Sequence, residues 1–296
     1  MLYAKHGAIR LAYQSYGSTQ AVPILLIMGL GMPSISWPPL LIQTLLDNGF
    51  RVITFDNRDS GNSTQYPEKV GSFDCLKGVA LTLLRRPVPS PYQLKDMAED
   101  ALSVLDALDI KKAYVFGISM GSMIAQELAL YYPDRLFGII PAMTASGNPA
   151  TGVGKLRAIA ALLSQPESVN DPQAMVRYLN KTLGVLGAAG HVYDPMFIEK
   201  VAKEMVQMNY RIDSPARQLL AILGSGNRTE KIKSIQVPTL VIHGREDPLL
   251  PLAAAREVAR SIPGATLHIV EGMGHDLPDE KIKEIVEQIV VFVRKR

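Results

Sequence analysis

One cysteine, Cys75, stands alone in 296 residues. No intrachain disulfide can form, and neither a cysteine-built zinc site nor any other metal centre is expected. The chain also lacks a charge surplus: 31 basic residues against 28 acidic ones leave a net +3, with the cations scattered along its length. That balance gives no electrostatic footprint for nucleic acid, and no such partner is expected. No apolar run reaches the roughly 20 residues needed to cross a bilayer, so stable membrane insertion is not expected either. The opening MLYAKHGAIR has no basic region followed by an apolar core. It therefore lacks the signature of a secretory leader, and a cytoplasmic location is the expectation. Internal repeats and low-complexity tracts are absent. What is present, 47% hydrophobic and 20% charged residues, suits a globular chain long enough for a sizeable core.

Strand-length and helix-length patterns alternate through this chain. AKHGAIRLAYQSYG reads as two short strands about Gly7, and PILLIMG and RVITF as buried strands. Leu94, Met97, Ala98, Ala101, Leu105 and Leu108 fall at helical spacing. AYVFG is a further strand, followed by helical SMIAQELALYY up to Pro133. LFGIIPAMTA, VPTLVIHG and ATLHIVEG complete the strands, and Ile282, Ile285, Val286, Ile289 and Val293 form one face of a terminal helix. Such alternation predicts an α/β fold, a mostly parallel central sheet flanked by helices. The alternation breaks twice. CLKGVALTLLRRPVPSP is an apolar helical piece ending in prolines. Residues 146–228 show KLRAIAALLSQ, AMVRYLNKTLG and MFIEKVAKEMVQM without a convincing strand. The expected organisation is a core of residues 1–145 and 229–296 carrying a helical cap, or lid, of residues 146–228.

Parallel sheets bind ligands beyond the carboxyl ends of their strands. In VFGISMGSM, Ser119 lies at such a strand-to-helix junction between Gly117 and Gly121, the context that gives G-x-S-x-G meaning as a nucleophile elbow. The alternative is a serine that caps the following helix. A hydroxyl nucleophile needs an adjacent base. Of five histidines, His6 lies in the first hairpin, His191 in the cap, His243 directly after a strand and His268 within one. His275, in EGMGHDLP, is the only one in a loop past the last strand's carboxyl end. A carboxylate should orient that imidazole. REDPLLP offers Asp247, short and fixed before Pro248, whereas Glu246 is longer and expected to face solvent. Asp276 is an alternative, although sequence neighbours rarely present side chains to each other. The order Ser119, Asp247, His275 follows the chain order of the triad on this fold. For a developing oxyanion, the N–H of Met120 at the helix start and that of Leu30 in the loop after PILLIMG are the expected donors.

The chain resembles the α/β-hydrolases, and within them the small bacterial esterases related to aclacinomycin methylesterase. The stretches that carry the resemblance are LLIMGLGMP, FDNRDSGNST, YQLKDMAEDALSVLDALDI, GISMGSMIAQELALYYPDRL, VPTLVIHGREDPLLP and GMGHDLP. They span both halves of the sheet domain. One departure is Met28-Gly29, where many of these proteins have His-Gly; a backbone donor should survive it, while the way the loop is held should change.

The resemblance and the triad together imply a serine hydrolase acting on a small-molecule carboxylic ester, without a cofactor. Leu162, Leu163, Leu183 and Met205 in the cap, with Trp37 beside the oxyanion loop, are the expected apolar wall of the substrate site. The alternatives are another reaction on the same triad (carbon–carbon bond hydrolysis, amide cleavage or peracid formation) and a non-catalytic receptor on the fold. An aspartate-nucleophile dehalogenase or epoxide hydrolase is disfavoured by Ser119. Nothing in the sequence opposes a homo-oligomer.

Overall fold

Apolar, β-branched runs become strands in this chain wherever glycine, proline or a polar turn bounds them. The computed structural model describes residues 1–208 and 210–295. In chain order come β1 (Leu2–His6), β2 (Ile9–Tyr16), β3 (Val22–Ile27), α1 (Pro39–Asp47), β4 (Phe50–Phe55), α2 (Ser72–Leu83), α3 (Leu94–Ala107), β5 (Ala113–Ile118), α4 (Met120–Tyr131) and β6 (Leu136–Ala142). Six helices follow, α5 (Pro149–Gly152), α6 (Leu156–Leu162), α7 (Pro172–Leu186), α8 (Pro195–Gln207), α9 (Ser214–Ser225) and α10 (Thr229–Ile232). Among the described residues no strand interrupts them. The chain closes with β7 (Leu240–Gly244), α11 (Leu252–Ser261), β8 (Thr266–Val270) and α12 (Asp279–Arg294).

Among the described residues eight strands form one sheet in the order β1-β2-β4-β3-β5-β6-β7-β8. Its first two pairings are antiparallel and the rest parallel. The mostly parallel sheet expected from the alternation is therefore present. Each inner strand divides its side chains between two apolar layers. Leu25, Ile27, Ile53, Phe55 and Val115 pack with α3, α4 and α11, whereas Ile24, Leu26, Val52, Tyr114 and Phe116 pack with α1 and α12. Burial on both faces is why these strands read as continuous apolar runs rather than alternating ones.

Besides the one-turn helices α5 and α10, three longer helices, α1, α9 and α11, escaped periodicity. Each opens beside a proline, Pro39, Pro215 and Pro251, a start signal that needs no long apolar stripe. Between β6 and β7, α7 and α8 start at Asp-Pro pairs: Asp171 accepts from Gln173 N–H and Asp194 from Met196 N–H. The helices between β6 and β7 are fastened at both ends. Glu257 on α11 accepts from Ser146, Asn148 and Thr151 in the segment after β6 and from Thr229 at the start of α10. Arg217 on α9 forms a buried bidentate pair with Asp59 at 2.8 and 2.9 Å. Among the described residues no helix is long and apolar enough to cross a membrane.

Candidate active site

Ser119 occupies the bend between β5 and α4 with φ 52° and ψ −118°, left-handed backbone that a non-glycine residue adopts only when its surroundings enforce it. Its side chain makes no capping bond, which removes the helix-cap alternative. The bend is tight because strand and helix nearly touch. A Cβ on Gly117 would lie 2.2 Å from the Gly121 carbonyl oxygen, and one on Gly121 would lie 2.0 Å from the Ile27 carbonyl oxygen. Backbone cannot step aside as a flexible side chain can. Gly121→Ala is therefore expected to cost about 3 kcal/mol or more, seen as a melting temperature lowered by about 6 °C or more. A melting curve within a degree of the wild type would contradict this packing.

His275 reaches the bend from the loop after β8, and Asp247 reaches His275 from the loop after β7. His275 Nε2 lies 2.9 Å from Ser119 Oγ, and His275 Nδ1 lies 2.8 Å from Asp247 Oδ2. A carboxylate only accepts, so Nδ1 carries the proton and Nε2 is left free to accept from the serine hydroxyl. The other Asp247 oxygen, Oδ1, accepts from the N–H groups of Leu249 and Leu250, both at 2.8 Å. Burial would raise the Asp247 pKa. The neighbouring His275, its hydrogen bond, His243 and the Leu250 N–H outweigh that and hold it below the ordinary carboxylate value. Asp276 faces elsewhere: it accepts from Gly274 N–H at 2.9 Å and from Tyr193 O–H at 2.7 Å. Glu246 is exposed.

The remaining histidines are occupied away from Ser119. His6 meets Asp100, His191 meets Glu280 and His268 meets Glu284. His243 is fully buried. Its Nε2–H donates to the Leu250 carbonyl at 2.9 Å, so it shapes the loop that holds Asp247. Burial pushes its pKa below the ordinary 6.5, against the pull of Asp247 and Leu250. The unfolded chain would bind a proton there that the native state refuses. Stability should accordingly fall as pH drops below about 6.5. Denaturation midpoints at about pH 7.5 and about pH 5.5 would show this slope, and His243→Gln should flatten it. An unchanged slope in that variant would count against the assignment.

The loop after β3 lies against Ser119: a Cβ on Gly29 would sit 3.4 Å from Ser119 Cβ. Asn57 Nδ2 donates to the Met28 carbonyl at 3.0 Å, which is how this loop is held with methionine at that position. Gln218 on α9, fully buried, accepts from Gly31 N–H at 2.7 Å and donates to the Arg58 carbonyl at 2.8 Å. Among the described residues, neither the Leu30 nor the Met120 N–H donates to any acceptor in the protein. Asn57 and Gln218 escaped the sequence reading. A lone amide in a polar loop or on a helix leaves no periodic signal.

A cavity of about 510 Å³ opens above these groups, bounded by Leu30, Ser119 and His275. Leu162, Leu163, Leu183 and Met205, all from the segment between β6 and β7, line it. Trp37 does not, which corrects its expected place in the wall. It is 1% exposed, packed 5.7 Å from the Phe116 ring in the layer beneath the loop. Its neighbours Ser36 and Pro38 face the cavity, and the short turn Ser34–Ser36 directs the indole the other way. Among the described residues no group of three or more His, Cys, Asp or Glu could hold a metal ion.

The family model of the alpha/beta hydrolase fold matches residues 22–282. The chain belongs to the α/β-hydrolases. Among curated relatives of this α/β-hydrolase is rhodomycin D methylesterase from Streptomyces sp. (strain C5), 29% identical, with 91% of this chain and 90% of the relative covered. Another is 2-hydroxymuconate semialdehyde hydrolase of Pseudomonas putida, 30% identical over 64% of this chain and 65% of the relative. In fold, the chain is similar to an esterase of Thermogutta terrifontis (TM-score 0.71, 22% identity, 99% of this chain and 98% of that one covered). It is also similar to an enol-lactonase of Burkholderia xenovorans LB400 (TM-score 0.72, 23% identity, 99% and 100% covered).

Proposed function

We propose that this α/β-hydrolase cleaves carboxylic esters of small to medium apolar substrates through an acyl-enzyme, with Ser119, His275 and Asp247 as its triad. The observation that carries this reading is the unbroken relay from Asp247 Oδ2 through both His275 nitrogens to Ser119 Oγ, at 2.8 and 2.9 Å. Methylesterase relatives over nine-tenths of the chain support the ester as the bond attacked. His275 Nε2 takes the hydroxyl proton as Ser119 Oγ adds to the ester carbonyl. The carbonyl oxygen, now an anion, falls to the free N–H groups of Leu30 and Met120. As the tetrahedral adduct collapses, His275 passes its proton to the departing alkoxide. It then takes a proton from water as the water oxygen adds to the acyl-enzyme, and returns that proton to Ser119 Oγ as the second adduct collapses to the acid and free Ser119. Asp247 keeps the imidazole oriented and stabilises its cation in both halves.

In this reading the helices of residues 146–228 are a cap over a core of residues 1–145 and 229–296. The cavity size falls within the range of small-molecule sites, roughly 300–1,000 Å³, and its mostly apolar lining, aliphatic and aromatic, favours an apolar acyl or alcohol group. A fluorophosphonate probe should label Ser119, located by peptide mass spectrometry. A panel of p-nitrophenyl and methyl esters of graded acyl length should show hydrolysis that peaks at intermediate size. An unlabelled Ser119, with no ester of the panel cleaved, would sink the proposal.

A further inference from the structure

Helix α2 reverses the usual arrangement of a surface helix. Its buried positions are small, Cys75 and Gly78. Gly78 packs closely on α9: a Cβ there would lie 2.9 Å from Leu220 Cδ2 and 3.2 Å from Leu223 Cδ1. The large apolar side chains face outward instead. Phe73, Leu76, Val79 and Leu83 on the helix, and Leu84 just beyond it, are exposed to 75, 67, 39, 65 and 71%. At about 100° per residue these five fall within one arc of roughly 140°, away from Cys75 and Gly78. An apolar stripe of this kind normally faces a core, and one left in water marks an interaction surface.

Positive charge gathers at the same place. From Glu68 to Arg86 four cations, Lys69, Lys77, Arg85 and Arg86, stand against two anions, Glu68 and Asp74. All four cations are exposed, while Asp74 turns back to accept from Gly71 N–H at 2.9 Å. The cavity opens here as well. Val70, Gly71, Ser72 and Cys75 line it, with Gly71 and Ser72 exposed, so it meets solvent at the N-terminus of α2. Leu163 and Ile212 line it too, exposed to 48 and 47%, and carry the apolar surface round the opening.

We propose that α2 is a peripheral docking helix for an anionic lipid surface. Phe73, Leu76 and Leu83 enter the interface and Lys77, Arg85 and Arg86 meet headgroup phosphates, so the helix lies on the bilayer without crossing it. A second copy of the chain would also cover the stripe, yet it would bring two net-positive patches together, which opposes association. An anionic surface satisfies the stripe and the cations at once. Docked in this way, the protein would present its cavity opening to molecules that partition into the lipid. This inference goes beyond ester hydrolysis and does not depend on it.

The test is co-sedimentation of the full chain with phosphatidylcholine vesicles containing about 30% phosphatidylglycerol, against phosphatidylcholine alone. The protein should pellet with the anionic vesicles and bind the neutral ones at least about tenfold more weakly. Raising the salt to about 0.5 M should release most of it. The double variants Leu76→Asp/Leu83→Asp and Arg85→Glu/Arg86→Glu should each bind about tenfold more weakly or worse. Their circular dichroism spectra and thermal melts should match those of the wild type, which shows that they fold. Ser119→Ala should bind like the wild type, so a failure of the ester-hydrolase reading would leave this result standing. Wild-type protein remaining in the supernatant with anionic vesicles, or variants pelleting as well as it does, would overturn the proposal. So would a concentration-dependent dimer in light scattering that Leu76→Asp/Leu83→Asp abolishes, which would assign the stripe to a second copy.

Discussion

Ser119→Ala is expected to lower kcat for ester hydrolysis by about 10⁵-fold or more while the protein melts as before. Two features separate chemistry from structure at this position. The Oγ makes no capping bond to α4, so its loss strips no N–H of a partner. Alanine keeps the Cβ that sits against Gly29, so the strained bend is not asked to change shape. What disappears is the atom that His275 Nε2 faces at 2.9 Å, and with it the covalent route. The free N–H groups of Leu30 and Met120 remain in the variant, so a residue of catalysis over water survives. The measurement is kcat on a p-nitrophenyl ester beside a thermal melt. A loss of less than about tenfold would mean that Ser119 is not the nucleophile.

Asp247→Asn should cost about 10⁴-fold in kcat, and the reason lies in how the carboxylate is held. Oδ1 already accepts from the Leu249 and Leu250 N–H groups, both at 2.8 Å. An asparagine must keep its amide oxygen there, since turning the NH₂ toward two N–H donors would set donors against donors. The NH₂ is thereby forced to face His275 Nδ1 and makes that nitrogen an acceptor. The proton then moves to Nε2, which faces Ser119 Oγ and can no longer accept from it. The variant should bind substrate with a KM near that of the wild type, because the carboxylate is buried behind the imidazole, its side chain 0% exposed. Activity within about tenfold of the wild type would show that Asp247 does not set the tautomer.

Much of this is legible from short-range pattern. The apolar run PILLI, the helical spacing from Leu94 to Leu105 and the bend at GISMG each lie within a few residues of one another, and local propensity writes them directly into the chain. The order of Ser119, Asp247 and His275 is legible as well, because a parallel sheet sends the loops after its strands to one edge. The direction of Trp37 is not. Its sequence neighbours Ser36 and Pro38 do face the cavity, while the indole itself turns inward and packs on Phe116. The helices α1, α9 and α11 fall between these cases: their prolines announce a start, while their apolar positions alone do not.

The sequence by itself determined the fold class, the elbow at Ser119 and which loops would carry its partners, since each depends on residues close together along the chain. The tertiary structure decided the rest. It turned Asp276 toward Tyr193 and Asp247 toward His275. It brought Gln218 across 187 positions to hold Gly31, and it left the apolar side of α2 facing outward by burying Cys75 and Gly78, with Gly78 packed against α9. The physical reason is common to all of these. A hydrogen bond or a steric contact depends on distance in space, and residues far apart in the chain become neighbours only when every intervening element is in place.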